Sequence, residues 1–120
     1  MGYDERLAER IRLAVAIRPD VAEKKMFGGL AFLNKGKMFC GIVKDELMVR
    51  VGPERYEESL REPHVRPMDF TGRPMKGYIF VESAGCRTDK EVRRWVEQGA
   101  EFIATLDGGT RLKRRKVRGR

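Results

Sequence analysis

Lys24-Lys25-Met26-Phe27-Gly28-Gly29-Leu30-Ala31-Phe32-Leu33-Asn34-Lys35-Gly36-Lys37-Met38-Phe39-Cys40-Gly41-Ile42-Val43 is the stretch that decides the fold. Apolar residues dominate it and the interruptions fall at residues that tolerate positive φ. The run to Leu33 reads as one strand bent at Gly28-Gly29, because glycine inside a strand marks a bend or a bulge. Asn34-Lys35-Gly36-Lys37 reads as a hairpin turn, and Met38–Val43 as the strand that returns from it. Downstream, Lys44-Asp45-Glu46 turns the chain into Leu47–Val51. There Leu47, Val49 and Val51 alternate with Met48 and Arg50, the period-two signature of a sheet with one buried face.

Outward from this core, the N-terminal side predicts a helix from about Tyr3 to Arg18. Asp4 is its cap, Leu7, Ile11, Ala14 and Val15 form one stripe, and Pro19-Asp20 is its stop. On the C-terminal side Gly52-Pro53 opens a short helix whose buried contacts are Tyr56 and Leu60 and whose end is Pro63. Strands follow at about Val65–Phe70 and Lys76–Val81, parted by Thr71-Gly72-Arg73-Pro74. Thr88 and Glu91 make a capping box for a last helix, on which Val92, Trp95, Val96, Gly99, Phe102, Ile103 and Leu106 hold one face. The predicted order is α-β-β-β-α-β-β-α. This is an α+β, two-layer α/β sandwich with a mainly antiparallel five-stranded sheet and helices on one side.

The 120 residues suit one domain. Charged residues reach 37% against the usual ~25%, and net charge is +8. That charge is unevenly placed. Seven of the 26 basic residues and one of the 18 acidic ones lie in 107–120, a net of +6, leaving +2 for 1–106. Residues 1–106 are therefore expected to be the folded unit and 107–120 a flexible basic tail. Two cysteines exclude a disulfide-built miniprotein, and the composition excludes a membrane span, a collagen-like polymer and wholesale disorder. With no secretory leader pattern and two unpaired thiols, a cytoplasmic setting is expected.

Reactive chemistry finds few candidates. His64 is the single histidine, in a predicted loop with no Gly-x-Ser-x-Gly elbow to serve, so no catalytic residue is assigned. Cys40, Cys86 and His64 lack the local spacing of a zinc site, so neither metal nor cofactor is expected. Gly36-Lys37 falls short of a phosphate-binding loop, since Met38 stands where Ser or Thr is required.

Two regions remain as candidate surfaces. The first is Lys24, Lys25, Met26, Phe27, Gly28 and Gly29, together with Arg50, the one charge in an otherwise apolar strand. It reads either as a partner or ligand surface, or as a bent edge strand guarded by lysines. A pocket near Gly28 and Arg50 would house an enzyme or small-molecule site. The second comprises Arg111, Lys113, Arg114, Arg115, Lys116, Arg118 and Arg120. These suit non-specific contact with a phosphate backbone, without base reading because no aromatic accompanies them. A purely solubilising extension is the alternative.

The runs Glu23–Phe32, Met38–Gly41, Leu47–Val51 and Pro67–Phe70, with Met75-Lys76-Gly77-Tyr78 and the Trp95 helix, resemble the N-terminal domain of the TfoX/Sxy family across residues 3–106. The resemblance implies a secretion-chaperone-like two-layer fold and a regulatory role in bacterial competence, exerted by assisting a transcription activator rather than by catalysis. It offers no catalytic residues to carry over. Longer family members carry a second domain, whereas the basic segment follows the first domain here. The expectation is a non-catalytic adaptor with a protein partner, and non-specific nucleic-acid association through the tail is the alternative.

Overall fold

The computed structural model describes residues 3–18, 20–26, 28–70 and 73–106, and the side chains of all of these except Met26, Asp69, Phe70, Arg73 and Pro74. Three helices, α1 (Glu5–Val15), α2 (Pro53–Leu60) and α3 (Asp89–Leu106), accompany six strands. The strands are β1 (Val21–Met26), β2 (Gly29–Asn34), β3 (Lys37–Val43), β4 (Glu46–Arg50), β5 (Val65–Phe70) and β6 (Arg73–Val81). All neighbours pair antiparallel, in the order β1-β2-β3-β4-β6-β5.

The expected five strands are therefore six. The segment read as one bent strand is a hairpin in which Met26 pairs with Gly29. Gly28 adopts φ +74°, a left-handed conformation that glycine enters without steric cost. Gly29 is held for a different reason. A β-carbon there would fall 2.0 Å from the Ile42 carbonyl oxygen of β3, so the hairpin closes only around a bare α-carbon.

α1 begins where Asp4 accepts hydrogen bonds from the backbone N–H groups of Arg6 and Leu7, at 2.8 and 3.4 Å. It is shorter than predicted at both ends. Tyr3 bridges instead to Lys44, whose carbonyl accepts from the Asp4 N–H at 2.7 Å, while the last turn closes at Ala16. At α3 the Glu91 N–H donates to Thr88 Oγ1 at 3.1 Å, and the Thr88 hydroxyl donates to the Glu91 carboxylate. The Thr88–Glu91 start is thus as the sequence predicted.

The helices bury their apolar faces against one side of the sheet. Leu7, Ile11 and Val15 of α1 and Val92, Trp95, Val96 and Ile103 of α3 meet Leu30, Phe32, Ile42, Leu47, Val49, Ile79 and Val81. Tyr56 joins this core from α2, but its neighbour in the cluster is only a half-buried Leu60, and Ser59 is buried instead. A second, smaller cluster occupies the opposite side of the sheet. It consists of Met48, Met68 and Phe80, packed with Met38, Val43 and Tyr78, and no helix residue belongs to it. Met48 was expected on the open face of the sheet, yet it is 5% exposed.

Candidate interaction face

Register places one residue from each strand in a single transverse row on the helix-free side. Lys24 of β1 pairs with Ala31 of β2, Ala31 with Gly41 of β3, and Gly41 with Met48 of β4. Met48 pairs with Phe80 of β6, and Phe80 with Arg66 of β5. Directly opposed residues of an antiparallel pair share a face, so cations stand at both ends of the row and apolar groups fill its middle. Gly41 is the low point. A β-carbon there would lie 2.7 Å from the Leu30 carbonyl oxygen and 3.1 Å from Met48 Cε, so the Met48 side chain lies across it.

The row is covered from within. The Arg66 guanidinium sits 4.7 Å above the centroid of the Phe80 ring, a cation–π contact. Its charge is shared with Glu46, to which it donates, and with Glu82 at 3.9 Å. Two residues along β4 from Met48, Arg50 pairs with Tyr78 of β6. Its guanidinium lies 5.4 Å from the Tyr78 centroid and 5.2 Å from that of Phe102 in α3. Arg50 is half-buried between these rings, which fixes its position at the end of the apolar strip.

The residues singled out from sequence are thus divided. By register Lys24 and Arg50 stand on the same side of the sheet, with β2 and β3 between their strands, while the Arg50 guanidinium also reaches Phe102 of α3. Lys25 pairs with Leu30, a member of the helix-side core, and so belongs to the other side. Met26 is placed by its backbone pairing alone, and Phe27 lies outside the described residues. Gly28 and Gly29 answer to turn geometry and to the close approach of Ile42. Residues 107–120, with all seven candidate cations of the tail, lie outside the described residues.

Sequence reasoning missed Met38, Met68, Phe80, Tyr78 and Arg66 as members of this face. The Met48/Arg50 alternation was the available signal. It did not reveal that β6 and β5 would bring an aromatic and an arginine into the same row.

A cavity of about 360 Å³ opens elsewhere, between the start of α2 and the end of α3. Val51, Pro53 and Phe102 give it apolar walls, and Glu54 and Glu101 stand among its lining residues with Arg55 and Thr105. Arg55 donates to Glu101 at 3.1 Å. It shares Phe102 with the Arg50 contact but does not include Gly28.

Both thiols lie in the interior. Burial pushes Cys86 up to about 11 and raises Cys40 further, so neither carries a thiolate near neutrality. The Cys86 thiol faces backbone carbonyls and lies 3.4 Å from that of Glu82. Cys86 is part of the core. His64 is exposed at φ +67°, and its carbonyl accepts from the Glu82 N–H at 2.7 Å. Among the described residues no three His, Cys, Asp or Glu side chains gather as a metal site, and no helix is long and apolar enough to cross a membrane.

Comparison with known proteins gives one family: the model of the TfoX N-terminal domain matches residues 13–103. No curated protein and no solved structure matches.

Proposed function

The chain belongs to the TfoX N-terminal domain family, and on that footing we propose that it is a regulatory adaptor working through protein contact, with no reaction of its own. The contact surface in this reading is the helix-free side of the sheet, and the transverse row from Lys24 to Arg66 is the observation that carries it. Methionine, aromatic rings and arginine are the side chains enriched where proteins meet. Here Met38 and Tyr78 are half-buried beside the strip, with Lys24 and Arg50 at its margins. A partner segment with apolar side chains flanked by carboxylates complements that pattern.

The test is affinity capture from the native host, using the chain ending at Leu106 and its Lys24→Glu/Arg50→Glu variant. A partner held by the first and released by the second supports the reading. Equal retention by both, or no specific partner for either, overturns it.

A second reading, nucleic-acid association, rests on the seven cations within 107–120. Seven phosphate contacts on duplex DNA give a log–log salt slope of about −6, from roughly −0.9 per phosphate. Equal DNA affinity for the full chain and for one ending at Asp107 removes this reading.

A further inference from the structure

We propose that the cavity between α2 and α3 binds a small organic ammonium ion, a protonated amine carried on an aryl or short alkyl body. This adds a ligand to the domain and is independent of the sheet face described above. α2 packs chiefly on β6, and α3 on α1, β3 and β4. Ion pairs span the two helices: Arg55 donates to Glu101 at 3.1 Å, and Glu62, just past α2, accepts from Arg94 at 2.9 and 3.1 Å. Beside the first pair about 360 Å³ is open, within the range of small-molecule sites. The apolar wall of this space is held in place. A β-carbon on Gly52 would fall 2.3 Å from Phe102 Cδ1, so bare backbone packs on that ring. Arg50 of β4 holds the same ring at 5.2 Å without lining the cavity. Val51 and Pro53 complete a pre-formed surface for an aryl or alkyl group.

The polar lining selects the charge of the ligand. Arg55 and Glu101 compensate each other, so the unmatched charge among the lining residues is the Glu54 carboxylate. The Thr105 hydroxyl gives its proton to the Phe102 carbonyl at 2.6 Å and has only lone pairs left to offer. A ligand that answers both brings N–H donors and a positive charge. An anion would instead enter beside two carboxylates, Glu54 and Glu101. The apolar body supplies contact with Val51, Pro53 and Phe102, and the ammonium group sets the orientation, with its head at Glu54. Glu54 is solvent-exposed, so its pairing changes affinity by about three- to fivefold, the scale of one surface ion pair. For a small probe the dissociation constant falls in the millimolar range.

The experiment titrates the isotope-labelled full chain with phenethylamine and, separately, with 3-phenylpropionate, which carries the same ring and spacer on a carboxylate. Amide chemical shifts are read at low salt. Phenethylamine is expected to give saturable shifts concentrated within residues 51–55 and 101–105, and 3-phenylpropionate weaker binding there. Glu54→Gln should weaken phenethylamine about three- to fivefold and leave 3-phenylpropionate no weaker than before. Three outcomes overturn the proposal: no saturable shift at these residues, 3-phenylpropionate binding there as well as phenethylamine, or an ammonium affinity indifferent to Glu54→Gln.

Discussion

A β-carbon on Gly99 of α3 would stand 2.5 Å from the carbonyl oxygen of Phe39 in β3. Helix and sheet touch backbone to backbone at this point. Gly99→Ala gains about 1 kcal/mol of helix propensity, but displacing a strand carbonyl costs more, because overpacking a tight core loses about 1–3 kcal/mol. We expect a net loss of up to about 2 kcal/mol, a fall in Tm of up to roughly 16 °C by thermal denaturation. An unchanged or higher Tm would show that α3 can lift away at little cost.

The Arg12 guanidinium of α1 donates to both carboxylate oxygens of Glu23 in β1, at 2.8 and 3.0 Å. This pairing holds the Glu23 carboxyl below the ordinary carboxylate value and raises Arg12 further. A carboxylate depressed in the folded state stabilises the fold above its unfolded pKa and loses that contribution as pH falls through the folded value. Both side chains are about one-third exposed, so the coupling is that of a surface pair, up to about 1 kcal/mol. A double-mutant cycle with Arg12→Ala and Glu23→Ala should show it at pH 7 and show it shrinking below about pH 4.3. Coupling that grows on acidification would contradict the assignment.

The buried members of the second apolar cluster, Met48, Met68 and Phe80, should contribute to stability as core residues do. Phe80→Ala is expected to cost about 3–5 kcal/mol and Met48→Ala about 2–5 kcal/mol in chemical denaturation. Met75→Ala, at a 37% exposed side chain, serves as the control and should stay within about 0.5 kcal/mol. Losses at Phe80 and Met48 no larger than the control's would mean that the helix-free side contributes nothing to the fold.

Thiol chemistry offers a separate check. With Cys86 at about 11, roughly one thiol in a thousand is ionised at pH 8, and Cys40 is less available still. Ellman's reagent should titrate both cysteines in guanidinium and react with native protein only as fast as it opens. A rapid stoichiometric burst from the native state would show an accessible thiol.

The helices were legible because each carries its start signal and its stripe in adjacent residues: Asp4 with Leu7 and Ile11, Thr88 with Glu91 and Val92. The first hairpin was not. Val21-Ala22-Glu23 has no alternation, and β1 is an edge strand whose described side chains are largely exposed, so its identity comes from pairing with β2 rather than from its own pattern. Gly28-Gly29 signalled a change of direction, but one glycine serves a turn and the other a steric gap, which local sequence cannot separate. The candidate face was legible in pieces. Arg50 and Lys24 were visible as charges, whereas their shared side depends on the register of four strands. The Met48–Phe80 contact depends on β6 entering beside β4, across the intervening α2 and β5.

That insertion has a consequence for assembly of the fold. Every neighbouring pair in the sheet is consecutive along the chain except β4 with β6. Hairpins of this kind close within about 1–10 μs, whereas the β4–β6 junction must first gather the intervening chain, at an entropic cost that rises with the logarithm of its length. The junction is also where Arg50 meets Tyr78 and where the Val51 and Gly52 N–H groups both donate to the Gly77 carbonyl. A polypeptide arranged this way resembles two separately zipped flaps held by one late clasp, and the clasp is where a nascent or damaged copy would first come apart.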